Sequence, residues 1–232
     1  FVQYLRSGGP CNFDLPFETV EIERNYPMTE NGKKKIKKKF DEEIELGFVG
    51  RRERNMEIFR ETKQGAIPKS RIDKQLRTRG ETDYNCRTIS DFSAIGTDGI
   101  SINEAAGNFL KLDLPQGERI HANIWEVHDF CIKNGLDPRG IRGVKIDIKA
   151  AYRTVCTHPA DWWALCFRVD GQSAFHKRWP FGLKASVYFF LRLPVLIVTY
   201  LVTKSSFEKI GARAGMYVDD LMIFAHESFM RK

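Results

Sequence analysis

Hydrophobic residues recur every three to four positions in two separate stretches of the chain, and this spacing predicts amphipathic helices. The apolar positions are Ile36, Phe40 and Ile44 in residues 33–50, and Ile124, Val127, Phe130 and Cys131 in residues 120–134. Gly47 and Gly135 follow these stripes, as is typical of helix ends. A third stretch, residues 186–202, is apolar almost throughout and predicts a core helix.

Alternating apolar and polar residues predict strands elsewhere. The strand that opens residues 143–155 carries Val144, Ile146 and Ile148 on one face and Lys145, Asp147 and Lys149 on the other. Residues 87–92 predict a short strand, and residues 162–181 predict a hairpin that turns at Asp170-Gly171. The stretch "AGMYVDDLMIFAHE", residues 214–227, predicts strand, turn and strand with an aspartate pair at the tip.

The remaining segments show no such period. Residues 1–32 are rich in Gly, Pro and Asn and are expected to be irregular, and residues 60–86 are polar and basic, which predicts a loop or an extended hairpin. Helical and strand patterns interleave irregularly, so the sequence predicts an α+β fold.

Composition narrows the class of protein. The chain has 232 residues, 42% of them hydrophobic, and a net charge of +7, which favours polyanionic partners such as nucleic acid. Its five scattered cysteines form no CxxC pair, which favours reduced thiols and an intracellular location, with nucleus, cytoplasm and organelle left open. The apolar run 187–202 is short for a membrane span and contains Arg192 and Pro194, so no membrane partner is expected. A chain that begins at Phe1 is expected to be a processed product or a piece of something longer.

The charges in residues 33–50 change from basic to acidic along the predicted helix. This order opposes the helix dipole, so the early lysines need another explanation. A solvated helix face and a contact with a phosphate backbone both remain open, and a nuclear import signal is a weaker third alternative.

Asp219 and Asp220 are adjacent carboxylates in an otherwise apolar stretch. Their repulsion must be offset by solvent, by a basic partner or by a metal ion. If their strand pairs with the strand that carries Asp147, the carboxylates converge and suit Mg²⁺, which prefers oxygen ligands. Two such ions about 4 Å apart can serve an in-line phosphoryl displacement. An ordinary surface turn with two aspartates is the alternative.

Three motifs follow one another along the chain: "DIKAAY" at 147–152, "WPFGLKAS" at 179–186 and "YVDD" at 217–220. Together they resemble the polymerase palm of reverse transcriptases from retroelements. The motif sequence "PFGLKAS" is more similar to that of long-terminal-repeat or tyrosine-recombinase-type elements than to that of group II introns. The resemblance covers roughly residues 40–230.

The resemblance implies a right-hand polymerase palm, an antiparallel sheet with packed helices, together with a fingers subdomain. The implied division is an irregular segment at 1–32, fingers at 33–110 and 155–185, and palm at 111–154 and 186–232. Because the chain ends twelve residues after Asp220, the thumb is expected to be absent.

The resemblance also implies roles for individual residues. Asp147 and Asp219 bind the catalytic metals, Asp220 supports them, and Tyr152 excludes a 2′-hydroxyl group. The implied nucleotide-binding residues are Lys69 and Arg87 for the triphosphate, the backbone N–H groups of Ala150 and Ala151, and Phe181 and Gly182 beside the sugar. From residue type alone, Tyr152 is equally a core aromatic, and Lys69 and Arg87 are also consistent with a solvated basic loop.

The implied function is that of an RNA-directed DNA polymerase fragment that adds deoxynucleotides to a primer 3′-hydroxyl by two-metal phosphoryl transfer. The cofactor is Mg²⁺, two ions, with Mn²⁺ as a substitute. The partners are an RNA or DNA template with its primer, deoxynucleoside triphosphates, and the rest of a longer polyprotein or a larger ribonucleoprotein. The alternative is a co-opted, inactive module with a structural or nucleic-acid-binding role. An RNA-templated RNA polymerase is disfavoured by the bulk of Tyr152.

Overall fold

The computed structural model describes residues 2–11, 13–16, 18–22, 24–53, 55–81, 84–106, 117–204 and 207–230. The chain forms two compact units. Unit 1 comprises Phe1–Lys111 and Tyr152–Ser186, and unit 2 comprises Leu112–Ala151 and Val187–Lys232. The predicted labels of fingers and palm remain predictions.

Helices and strands interleave along the chain, which confirms the predicted α+β class. The helices are α1 (Val2–Ser7), α2 (Glu30–Glu45), α3 (Arg71–Thr78), α4 (Ile102–Ala105), α5 (Gly117–Lys133), α6 (Lys184–Phe190) and α7 (Arg192–Lys204). The strands are β1 (Val49–Arg51), β2 (Glu61–Pro68), β3 (Cys86–Asp91), β4 (Ile141–Asp147), β5 (Cys166–Val169), β6 (Gln172–His176), β7 (Arg213–Tyr217) and β8 (Asp220–His226).

Unit 1 contains a five-stranded sheet in the order β1-β6-β5-β2-β3. Its strands pair antiparallel except β2 and β5, which are parallel. The apolar face of α2 packs on this sheet through Ile36 and Phe40, and the Phe40 ring meets Phe167 edge-on at 6.0 Å. The helical period seen in the sequence is therefore the packing face of this helix.

The hairpin predicted in unit 1 is present. β5 and β6 are joined by Asp170 and Gly171, whose φ angles are +51° and +74°. Two positive φ values in a two-residue loop match the turn that Asp-Gly favours.

Two predictions for the amino-terminal half need correction. The stretch 60–86 is neither a loop nor a simple hairpin, because α3 lies between the paired strands β2 and β3. Ser70 caps α3 by accepting a hydrogen bond from the backbone N–H of Asp73 at 3.1 Å. The segment predicted to be irregular also begins with the short helix α1.

Unit 2 contains a three-stranded antiparallel sheet in the order β4-β8-β7. Its core cluster is built by Ala214, Met216 and Leu221 from the sheet, with Val198, Leu201 and Val202 from α7 packed against them. Helix α5 also contacts the sheet, where Asn123 Nδ2 donates a hydrogen bond to the carbonyl oxygen of Ala214 at 3.3 Å.

The apolar helix predicted at 186–202 is interrupted at Leu191, which separates α6 from α7. By length and composition alone, Lys184–Thr203 would suffice to cross a membrane, with a mean hydropathy of 1.9, and 28% of this window is buried. One face of α7 packs in the core as predicted, whereas Val195, Leu196 and Tyr200 on α7 are exposed.

Candidate carboxylate and nucleotide sites

The tip of the β7–β8 hairpin is a two-residue turn. Tyr217 pairs with Asp220, which leaves Val218 and Asp219 as the turn residues. Val218 has a φ of +57°, a conformation that is rare for a β-branched residue because its side chain crowds the backbone. Such strain persists only where the surrounding structure enforces it, and it is common at functional sites.

The register of β4 and β8 brings the aspartates together. Asp147 is the direct antiparallel partner of Asp220, and the N–H of Ile148 donates to the carbonyl oxygen of Asp219 at 3.0 Å. Directly opposite residues of an antiparallel pair project to the same face of a sheet. Asp147 and Asp220 therefore share one face at one end of the strand pair, with Asp219 in the adjoining turn.

Lys145 lies on the same face as the carboxylates. Its Nζ is 2.7 Å from Oδ2 of Asp220, and its side chain is 61% exposed. The hydrogen bond and charge of Asp220 raise the pKa of Lys145, and Asp147 and Asp219 add smaller contributions in the same direction. The carboxylate end of the sheet is thus a place where positive charge is stabilised.

The donor set is chemically suited to a hard divalent cation, because carboxylate oxygens are the ligands that Mg²⁺ prefers. Asp220 is engaged by Lys145 in the present side-chain arrangement. Within the described ranges, no three His, Cys, Asp or Glu side chains are grouped so that they could hold a metal ion as they stand.

The segment after β4 makes a sharp turn. Ala150 has a φ of +54°, and Ala151 is buried at the start of a 3₁₀ helix that runs Ala151–Thr154. These are the residues whose backbone N–H groups were expected to meet a triphosphate. They follow Asp147 by three and four positions in the chain, and the turn lies directly after β4.

In unit 1, the structure brings Tyr152 and Phe181 together. Their ring centroids are 4.8 Å apart and their planes are inclined by 59°. Tyr152 is partly buried, whereas Phe181 is 43% exposed. Two predicted nucleotide-binding residues thus form one aromatic pair.

Gly182 is required by its position. Its φ is +94°, and a Cβ there would lie 2.7 Å from the carbonyl oxygen of Ser90. Asn103 holds the same segment, since its Nδ2 donates to the carbonyl oxygen of Gly182 at 3.0 Å and its Oδ1 accepts from the N–H of Lys184 at 2.8 Å. Sequence reasoning did not identify this clamp, in which Asn103 lies in the first turn of α4, directly after the capping residue Ser101.

Lys69 and Arg87 lie on neighbouring parts of the sheet in unit 1. Arg87 is the pairing partner of Ile67, and the N–H of Lys69 donates to the carbonyl oxygen of Asn85 at 3.0 Å. Both side chains are exposed. Lys69 directly follows β2 and Arg87 lies on β3, so the two predicted triphosphate-binding cations are exposed at the same end of this strand pair.

A buried ion pair adjoins Tyr152, and no sequence motif predicted it. The next residue, Arg153, donates through one nitrogen to both carboxylate oxygens of Glu43, at 2.7 and 2.9 Å. Its other terminal nitrogen donates to Nδ1 of His176 at 3.0 Å and to the carbonyl oxygen of Arg178 at 3.1 Å. The side chains of Arg153 and Glu43 are only 5% and 12% exposed.

His176 is neutral in this network. Burial lowers its pKa well below the ordinary value, and the positive charges of Arg153 and Lys39 lower it further. Because a guanidinium group can only donate, Nδ1 of His176 accepts and the ring proton lies on Nε2. The network thus fixes one tautomer of His176 and anchors the turn that follows Tyr152.

No protein-family model matches the chain, and no curated protein matches it. Solved structures do match. The native prototype foamy virus protease–reverse transcriptase and its CSH mutant each align with a TM-score of 0.56 and 16% identity, over 92% of this chain and 22% of that chain. The fold is reverse-transcriptase-like. The chain spans about a fifth of the length of these relatives, and at this identity the likeness concerns the fold alone.

Proposed function

We propose that the chain is the fingers and palm portion of an RNA-directed DNA polymerase, which adds deoxynucleotides to a primer 3′-hydroxyl. In this proposal unit 2 is the palm and unit 1 the fingers. The observation that carries it is the register that pairs Asp147 with Asp220 and places Asp219 in the adjoining turn. A reverse-transcriptase-like fold makes nucleotidyl transfer the chemistry to test first.

Asp147 and Asp219 would hold Mg²⁺, with Asp220 in support. Two bound ions, or Mn²⁺ in their place, would make the primer hydroxyl a better nucleophile and neutralise the leaving oxygen. The contact between Lys145 and Asp220, which raises the pKa of Lys145, supports this role, because the carboxylates stabilise a nearby cation. The strained turn at Val218 holds the backbone of Asp219 beside β4.

The other predicted residues would bind the incoming nucleotide. Tyr152, backed by the ring of Phe181, would exclude a 2′-hydroxyl group and so favour deoxynucleotides. Lys69 and Arg87 would neutralise the triphosphate from the β2–β3 pair. The turn at Ala150 and Ala151 would add backbone donors, which suit a phosphate because they need little reorganisation.

One contact favours the alternative of a co-opted, inactive module. Lys145 already neutralises part of the carboxylate charge through Asp220, so the cluster has an internal counter-ion and does not need a metal to be stable. Such a module would keep a structural or nucleic-acid-binding role in a larger assembly.

Primer extension separates the two proposals. The chain is incubated with an RNA or DNA template, a labelled primer, deoxynucleotides, and Mg²⁺, Mn²⁺ or Ca²⁺. We expect extension with Mg²⁺ or Mn²⁺ and its loss in Asp219→Asn, while Asp170→Asn, the same change in the β5–β6 turn, leaves extension intact. Extension that survives Asp219→Asn contradicts the metal role. Binding of the primer–template without extension favours the inactive module.

A further inference from the structure

Unit 1 contains a small polar cavity beside the ion pair of Arg153 and Glu43. Its volume is about 30 Å³, the share of one molecule in liquid water. A space of this size accommodates a water molecule or a monatomic ion, but it is too small for a phosphate or a carboxylate group. The polar part of its wall includes Lys39 and Glu43 on α2, Thr88 and Ser90 on β3, and Arg153 and His176.

The wall of the cavity has more positive than negative charge. Among its described lining residues, Lys39 and Arg153 are cations, Glu43 is the one carboxylate, and His176 is neutral. Arg153 donates to both oxygens of Glu43, and Nζ of Lys39 lies 3.7 Å from the same carboxylate. One carboxylate is thus shared by two cations, which leaves an excess of one positive charge. Burial lowers the pKa of Lys39, and the charges of Arg153 and Arg87 lower it further, although Glu43 opposes them.

Two hydrogen-bond donors on the lining residues lack an acceptor. Nε2 of His176 carries the ring proton, and neither this group nor Nε of Arg153 has a partner among the residues that the structure describes. Both atoms are buried, and buried N–H groups are normally paired. An acceptor held in the cavity that both residues line would reduce this deficit.

Lys39 and Thr88 connect the cavity to solvent and supply further donors. The side chain of Lys39 is 40% exposed, and its Nζ donates to Oγ1 of Thr88 at 2.9 Å. Because this oxygen accepts from the lysine, the hydroxyl proton of Thr88 can be donated to a ligand. An ammonium group beside a hydroxyl group suits a spherical anion, which accepts hydrogen bonds from several directions.

We propose that this cavity binds one monovalent anion of the size of chloride, held by Lys39, by the hydroxyl of Thr88 and by the positive charge of Arg153. A water molecule would accept hydrogen bonds there but would leave the excess positive charge uncompensated, whereas a halide neutralises it. The proposal concerns unit 1 alone, so it requires neither the carboxylates of unit 2 nor catalysis.

Nuclear magnetic resonance of ³⁵Cl tests the site, because exchange with a bound ion broadens the resonance of free chloride. With the full chain, and with gluconate to keep the ionic strength constant, we expect broadening that bromide reverses. Lys39→Met should weaken chloride binding about tenfold or more, the loss expected for a hydrogen bond to a charged group. Thr88→Val, which removes only the hydroxyl, should weaken it less. Lys38→Met is the matched control, because Lys38 is 79% exposed on the same helix and does not line the cavity.

Urea unfolding gives a second measure of the same site. Chloride should raise the unfolding midpoint above that in gluconate at equal ionic strength, because a ligand that binds only the folded chain stabilises it by mass action. Lys39→Met and Thr88→Val should reduce this difference, whereas Lys38→Met should keep it.

Equal losses in Lys39→Met and Lys38→Met would overturn the proposal, since they would indicate only the general charge of the helix. Full chloride binding by Lys39→Met would overturn it too. A wild-type chain that does not broaden the chloride resonance would assign the cavity to water and contradict the anion site. If Lys39→Met does not fold, Thr88→Val decides, and chloride binding equal to that of the wild type would contradict the proposed contact.

Discussion

Nζ of Lys145 lies 2.7 Å from Oδ2 of Asp220, on the strand face that Asp147 shares. The lysine reaches Asp220 diagonally, because its own pairing partner on β8 is Met222. This single contact bears on both proposed functions. It shows that the carboxylates attract a cation, and it provides a cation that a metal would have to displace.

Removal of this lysine should therefore strengthen metal binding. In Lys145→Ala the carboxylates lose their internal counter-ion, and we expect the affinity for Mn²⁺ to rise about two- to fivefold, the size expected for an exposed ion pair. Titration followed by electron paramagnetic resonance of free Mn²⁺ measures it. Lys209→Ala, which removes an exposed lysine elsewhere in unit 2, should leave the affinity unchanged. Equal affinities in Lys145→Ala and the wild type would contradict competition between lysine and metal.

The aromatic pair of Tyr152 and Phe181 gives a prediction about sugar selectivity. If Tyr152 excludes the 2′-hydroxyl, Tyr152→Ala should raise ribonucleotide use relative to deoxynucleotide use by about tenfold or more, equivalent to at least about 1.4 kcal/mol. Tyr152→Phe keeps the ring beside Phe181 and should keep the selectivity. The ratio of kcat/KM for the two nucleotides is the measurement. Unchanged selectivity in Tyr152→Ala would assign this ring to packing alone.

The ion pair of Arg153 and Glu43 should matter for stability. Arg153→Met leaves the buried carboxylate of Glu43 with only the more distant Lys39, 3.7 Å away, as its counter-charge, which should cost about 3 kcal/mol in the free energy of unfolding. The double variant Arg153→Met, Glu43→Leu removes both charges and should recover most of that loss. Urea unfolding of the two single variants and the double variant measures the coupling. Strictly additive losses would show that the two side chains act independently.

Local patterns predicted those parts of the fold that depend on neighbouring residues. The helical period of residues 33–50 correctly predicted α2. The helix begins earlier, at Glu30, because Thr29 caps it. Asp170-Gly171 predicted a turn because its backbone preferences suit two positive φ values. The alternation on each side predicted a hairpin with the aspartate pair at its tip, and the structure has Asp219 in the turn and Asp220 as the first residue of β8.

The remainder depends on contacts between distant residues or on polar sequence without a period. Helix α3 carries almost no apolar stripe, so no hydrophobic period predicts it. Its capping residue, Ser70, is the only sequence signal for this helix. Arg153 and Glu43 are 110 positions apart, and the residues next to either one do not indicate that the two form an ion pair. The contact between Lys145 and Asp220 requires the register of β4 and β8. The sequence analysis could only assume that these strands pair.

Burial of neutral His176 predicts how stability depends on pH. Its pKa is lowered in the folded state, so the unfolded chain binds a proton first as the pH falls. Stability is therefore fully present above about pH 6.5, the ordinary histidine value, and is lost as the pH falls below it, by at most about 1.4 kcal/mol per pH unit. Urea unfolding between pH 7.5 and pH 5 measures this loss.

The variant His176→Gln isolates the contribution of this histidine. Glutamine keeps an oxygen that can accept from Arg153 but does not titrate, so the loss of stability between pH 6.5 and 5 should become smaller than in the wild type. Burial raises the pKa of Asp161, which acts in the opposite direction, so the difference between variant and wild type is the decisive quantity. His121→Gln, at an exposed position on α5, should follow the wild-type curve. If His176→Gln also follows it, His176 takes up a proton in the folded chain as readily as in the unfolded chain, which contradicts a lowered pKa of His176.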